Sequence, residues 1–235
     1  MPPDNPDVPA VRRALVIAAH PDDADFGAAG TACLWAREGW EVYYLVCTNG
    51  AKGSDDPGIA PPDLIRMRRQ EQRDAAALLG VKDVFFLDFE DGELTASREF
   101  LGEVVRQIRQ VKPYAVFTHD YEAVIVNDSF VNHADHRVTG LTAIDAVYPA
   151  ARDRLNFPEH IAAGLDPHKV SEIYIWGSER ANFTVDISGV IDTKIAALRA
   201  HSSQFTEEFI QMILERWKDG DGRYIESFRR VQMAF

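Results

Sequence analysis

Cysteine is nearly missing from this sequence. Cys33 and Cys47 are the only two, each inside an apolar segment and neither in a CxxC spacing, so they read as buried thiols and not as a disulfide framework. A reducing cytoplasm fits that usage. Positive charge is also in deficit: 25 Lys and Arg stand against 37 Asp and Glu, a formal net charge of -12. Such a chain repels a phosphate backbone unless basic residues concentrate on one face. The run Arg66-Met67-Arg68-Arg69 is too short for that, with Glu71 close behind, so nucleic acid is not an expected partner. No apolar stretch approaches the roughly 18 residues of a membrane span. The opening Met1-Pro2-Pro3-Asp4 lacks the basic-then-apolar layout of a signal peptide, and the expected location is cytoplasmic.

An apolar fraction of 46% and a charged fraction of 26% over 235 residues suit one soluble α/β domain. Residues 1–11 read as a loose tail and 12–235 as that domain. Strands are expected at Arg13–Ala19, Glu41–Cys47, Val84–Leu87 and Tyr114–Thr118. Helices are expected from Gly27 to Glu38, Pro62 to Leu79 and Arg98 to Val111. This alternation predicts a Rossmann-like three-layer sandwich with a mostly parallel sheet. Further on, the pattern predicts a helix over 136–147, strands at Val170–Trp176 and Phe183–Ile187, and helices at Val190–His201 and Glu207–Lys218. Tyr224–Phe235 reads as a terminal strand or a partner contact. The loops 51–62, 120–132 and 150–168 are expected to rim a site.

Chemistry concentrates at His20-Pro21-Asp22-Asp23, directly after the first apolar run. Open α/β sheets keep their sites at such strand ends. An imidazole and a carboxylate three residues apart can grip one divalent cation, while the carboxylate between them faces elsewhere and stays free to handle a proton. The alternative is that Asp22 or Asp23 merely caps the following helix, which accounts for neither His20 nor the second acid. A second cluster, His133-Ala134-Asp135-His136, puts two imidazoles on one face of a first helical turn, with Asp135 able to orient one of them.

Ala19-His20-Pro21-Asp22-Asp23-Ala24, Gly27-Ala28-Ala29-Gly30-Thr31, Arg68-x-x-Glu71 with Leu79-Gly80, Asp91-Gly92 and His133-x-x-His136 together resemble the LmbE-like, or PIG-L, family of metal-dependent de-N-acetylases over about residues 13–140. His201-Ser202-Ser203-Gln204 resembles a further family segment. Ala24, where many relatives carry Glu, likens the first motif to the bacillithiol-pathway branch. The resemblance implies that His20, Asp23 and His136 bind Zn²⁺, with Fe²⁺ or Co²⁺ also suited to two imidazoles and a carboxylate. It implies Asp22 as general base, His133 as oxyanion donor and Asp135 as the group that aligns His133. Arg68 and Asp91 would bind substrate hydroxyls, with Asn49 and His119 as weaker contacts. The implied substrate is a small N-acetylated amino sugar, and relatives of this kind commonly form homo-oligomers. Two rivals stand beside this reading. One is an amidase for thiol conjugates; the other is a nucleotide-binding module, for which the expected GxGxxG after the first strand is missing.

Overall fold

Ala14, Leu15, Val16, Ile17 and Ala18 are all inaccessible to solvent, the pattern of a strand covered on both faces. In the computed structural model they form β1 (Arg13–Ala18), near the centre of a seven-stranded sheet. The structure describes residues 11–126 and 128–234; the expected tail, apart from Val11, and Phe235 lie outside the described residues. The chain continues through α1 (Asp23–Arg37), β2 (Glu41–Thr48), α2 (Pro61–Leu79), β3 (Asp83–Phe89), α3 (Arg98–Val111) and β4 (Ala115–His119). A short hairpin follows, β5 (Ile125–Val126) and β6 (Phe130–Val131), and then α4 (Ala134–Asp145), α5 (Pro158–Ala162), β7 (Glu172–Trp176) and β8 (Phe183–Asp186). Helices α6 (Ile191–Ala200) and α7 (Glu207–Leu214) and strand β9 (Ile225–Gln232) complete it.

The sheet order is β3-β2-β1-β4-β7-β9-β8. The first five strands run parallel, and β9 pairs antiparallel with both β7 and β8. The fold is therefore the expected α/β sandwich, with one apolar core on each side of the sheet: Ala28, Ala32 and Ala75 belong to one, Phe100, Val104 and Ala143 to the other. Strand order reverses between β1 and β4, which opens a crevice beyond their carboxyl ends. No described helix is long and apolar enough to cross a membrane.

Three details depart from the sequence-based expectations. Helix α1 begins at Asp23 and not at Gly27, because Asp23 and Asp25 fill its first turn, where the helix dipole favours negative charge. Its glycines serve packing, as expected: a Cβ on Gly27 would lie 2.6 Å from Trp176 and one on Gly30 2.6 Å from Ile187. Helix α4 begins at Ala134, since the His133 ring itself accepts the Asp135 N–H and caps it. The strand expected at the carboxyl end is present as β9 (Ile225–Gln232), inserted between β7 and β8. The 150–168 loop does not rim the site. The buried guanidinium of Arg109 donates to the carbonyls of Ala150, Ala151, Asp153, Asn156 and Phe157, and pins that loop beside α3.

Candidate metal centre

Every residue of the first motif is placed by the end of β1 and the start of α1. The chain turns so sharply there that Asp22 takes φ 112°, a left-handed conformation that costs a non-glycine residue roughly 1–3 kcal/mol and persists only where neighbours impose it. Those neighbours are on α2. Gln72 Oε1 accepts the Asp22 N–H at 2.9 Å, and Arg68 donates to Pro21 O, Gly50 O and the Asp22 carboxylate at 2.9, 2.8 and 3.1 Å. Gln72 is held in turn by Asp25, to which its Nε2 donates at 2.6 Å, and the buried His201 ring lies 2.7 Å from the same Asp25 oxygen.

Asp23 lies at the middle of the cluster. Its Oδ2 lies 3.2 Å from His20 Nδ1 and 3.5 Å from His119 Nε2, and its Oδ1 lies 3.2 Å from His136 Nε2. His136 Nδ1 faces Asn132 Oδ1 at 3.1 Å, which turns the Nε2 edge toward Asp23. On the other edge of His20, Nε2 lies 3.2 Å from both Asp91 and Asp135. Among the described residues, three overlapping sets bring their ligand atoms within 4.8 Å of one another: His20, His133 and His136; His20, Asp91, His133 and Asp135; and Asp23, His119 and His136. The donor chemistry suits a divalent cation. Imidazole nitrogens and carboxylate oxygens stand 3.2 Å apart, close to the roughly 3.3 Å edge of a tetrahedron with zinc-like bond lengths.

The field at His20 favours positive charge. Burial works against a charged His20 ring, but hydrogen bonds with Asp135, Asp23 and Asp91 outweigh it and push its pKa up to about 12. Asp23 is held well below the carboxylate range, because His136 and His119 overcome its burial. Asp22 differs: burial and the neighbouring Asp23 charge raise it to about 6 against the pull of Arg68. Adjacent carboxyls thus have divided roles, one fixed as an anion and one able to exchange a proton near neutrality.

The remaining predicted residues fall as follows. His133 borders the polar cleft, its side chain 45% exposed, and burial followed by the His20 charge lowers its pKa. Asp135 Oδ2 is 4.0 Å from His133 Nδ1, while the same carboxylate accepts from Gly92 N at 2.7 Å and Leu94 N at 3.2 Å. Asp135 therefore braces His20 and the 92–94 turn more closely than it holds His133. Arg68, expected to meet substrate, lines the same cleft and donates from its terminal nitrogens to Asp22 and two carbonyls. Asp91 lines the cleft and accepts the Lys52 N–H at 2.9 Å. Asn49 Oδ1 accepts from Ala51 N and Asp91 N at 3.1 and 3.4 Å and so shapes the loop. His119 Nε2 accepts the Ala19 N–H at 3.1 Å; burial and the His136 charge lower its pKa to about 4, and it lines the site as a neutral ring.

Gln72, Asp25 and His201 had no assigned role from sequence, and Trp176 was placed only at the end of an expected strand. Trp176, at the edge of the core, also joins Phe26, Phe130 and Asn132 around a cavity of about 230 Å³ that reaches Asp23 and His136. A second, polar cleft of about 390 Å³ lies across the same two residues, bordered by Asp22, Asp91, His133 and Gln204.

Residues 15–147 match the GlcNAc-PI de-N-acetylase (PIG-L) family. A diacetylchitobiose deacetylase of Thermococcus kodakarensis is 36% identical over 96% of this chain and 85% of its own length. A probable N-acetyl-alpha-D-glucosaminyl L-malate deacetylase 2 of Bacillus subtilis is 29% identical over 88% of this chain and 89% of its own. The solved N,N'-diacetylchitobiose deacetylase of Pyrococcus horikoshii, complexed with its inhibitor MPG, superposes with a TM-score of 0.85 at 31% identity, covering 95% of this chain and 85% of that one. With the strand-end motif, the matched segment and the superposed fold in agreement, the chain belongs to the PIG-L family of GlcNAc-PI de-N-acetylases.

Proposed function

We propose that this protein is a metal-dependent hydrolase that removes the N-acetyl group of a small amino sugar of the diacetylchitobiose type, with His20, Asp23 and His136 holding Zn²⁺ and Fe²⁺ or Co²⁺ as alternative occupants. The observation that carries the reading is Asp22. It abuts a set of imidazole and carboxylate groups suited to a cation, takes no part in any of those sets, and has its pKa poised at about 6. A divalent cation in the cluster supplies Lewis acidity to water and to the amide carbonyl.

The chain's own residues do the rest. Asp22, ionised and aligned by Arg68, takes a proton from the attacking water as the amide carbon becomes tetrahedral. His133, at the open edge of the cleft, donates to the oxygen on which negative charge develops. Asp22 then returns its proton to the nitrogen, the C–N bond breaks, and acetate and a free amine leave. The apolar cavity beside Trp176 and the polar cleft beside Asp91 meet at Asp23 and His136, so a substrate can straddle the cluster with unlike ends in unlike surroundings. Self-association is part of this reading, since Ile125, Phe130 and Val131 expose 60%, 56% and 71% of their surface on the hairpin beside the site.

Metal analysis of protein purified without chelator tests the ligand assignment. His20→Ala, Asp23→Ala and His136→Ala should each lose most of the ion, whereas Asp22→Asn and His133→Ala should keep it at wild-type stoichiometry. Retention of the ion by His136→Ala together with its loss from His133→Ala would move the ligand set to His133 and overturn the assignment.

A further inference from the structure

Gln204 borders the polar cleft from the turn between α6 and α7, opposite the cluster. Its carboxamide is oriented by two independent constraints. Nε2 donates to Gly53 O at 3.1 Å and to Ser203 Oγ at 2.9 Å. The first partner, a carbonyl, can only accept. The second has its own hydrogen committed to Glu71 Oε2 at 2.6 Å, so toward Gln204 it also accepts. A flipped amide would set its oxygen against both. Glu71 is itself buried on α2 and takes the Ser202 hydroxyl at 3.1 Å and the Ser203 N–H at 2.9 Å, which roots the clamp in a rigid element.

With both N–H hydrogens engaged, Oε1 has no donor facing it among the described residues. The space before it is kept clear by a glycine: a Cβ on Gly53 would stand 3.0 Å from Oε1 and 2.3 Å from the Arg68 guanidinium. Two cationic groups on the same cleft are turned elsewhere: the Arg68 terminal nitrogens donate to Gly50 O, Pro21 O and Asp22, and Lys52 Nζ donates to Glu93 at 2.7 Å. A neutral acceptor with fixed aim is therefore left on the cleft wall, and a neutral donor is its natural complement.

We infer that Gln204 is a substrate-binding residue whose Oε1 accepts a hydrogen bond from a ring hydroxyl of the amino sugar, oriented for that purpose by the Glu71–Ser203 clamp. The inference rests on the deacetylase reading and adds a hydroxyl-recognising contact to it.

The test is acetate release by the metal-loaded enzyme from N,N'-diacetylchitobiose, N-acetylglucosamine and the monodeoxy analogues of N-acetylglucosamine, using wild type, Gln204→Ala, Gln204→Met and Ser203→Ala. Both Gln204 variants should lose about tenfold in kcat/KM, carried by KM, with kcat within about twofold of wild type. Ser203→Ala, which frees the amide to turn, should lose about threefold. One monodeoxy analogue should cost the wild type the same factor of about ten and cost the Gln204 variants nothing further. Binding of glucosamine, the product amine, followed by calorimetry should weaken by the same factor in Gln204→Ala. Unchanged KM in both Gln204 variants, or identical discrimination among the deoxy sugars by variant and wild type, would overturn the assignment while leaving the deacetylase reading intact. A wild type that releases acetate from none of these sugars would remove both.

Discussion

Asp22 combines a strained backbone with a carboxyl whose charge is set by its surroundings. The pKa of about 6 comes from burial and Asp23, opposed by Arg68. As a general base it must be ionised, so the rate should fall as pH drops through its pKa. A cation neutralising Asp23 removes part of what raises Asp22, which places the acid limb of kcat/KM at about 6 or lower. Arg68→Met takes away the cation that favours the ionised form, and the limb should move to higher pH by about one unit. A limb that stays put in Arg68→Met would show that the Arg68–Asp22 pair does not govern the base. At this scale the two clusters were legible as clusters, because His20, Asp22 and Asp23, like His133, Asp135 and His136, stand near one another in sequence, and the fold brings the two groups together. Gln72, His201 and Gln204 were not legible as a support system. Their partners lie on other elements, and nothing in the local sequence signals a contact made only by the tertiary fold.

At the scale of elements, the cluster depends on how closely α4 approaches the end of β4. Gly140 sets that distance: a Cβ there would meet the His119 carbonyl oxygen at 2.4 Å, a backbone atom that cannot swing aside. Gly140→Ala should therefore destabilise the protein by about 1–3 kcal/mol and weaken metal retention, since α4 also carries His136. Thermal unfolding and metal content measured together check this; a variant with unchanged melting temperature and full metal would show that α4 has slack. The parallel strands and their order of alternation with helices could be read from apolar runs and glycine stops. The starts of α1 and α4 could not, because His133 and the acidic first turn of α1 serve both as helix-terminal groups and as site residues. The β5–β6 hairpin escaped for a different reason, its strands being two residues each.

Across the whole molecule, an acidic surface, two apolar cores and a crevice at the strand-order reversal place one chemically equipped site where the fold opens. The expectation of a mostly parallel sandwich followed from strand and helix alternation alone. The antiparallel insertion of β9 between β7 and β8 did not, since register among distant strands depends on packing that no local pattern encodes. On the proposed mechanism the base, Asp22, is separate from the groups that would hold the ion. The most direct measurement is acetate release from N,N'-diacetylchitobiose by Asp22→Asn with its metal content determined on the same sample. Full metal with a rate lowered at least about 100-fold is the expected result; full metal with a wild-type rate would contradict it.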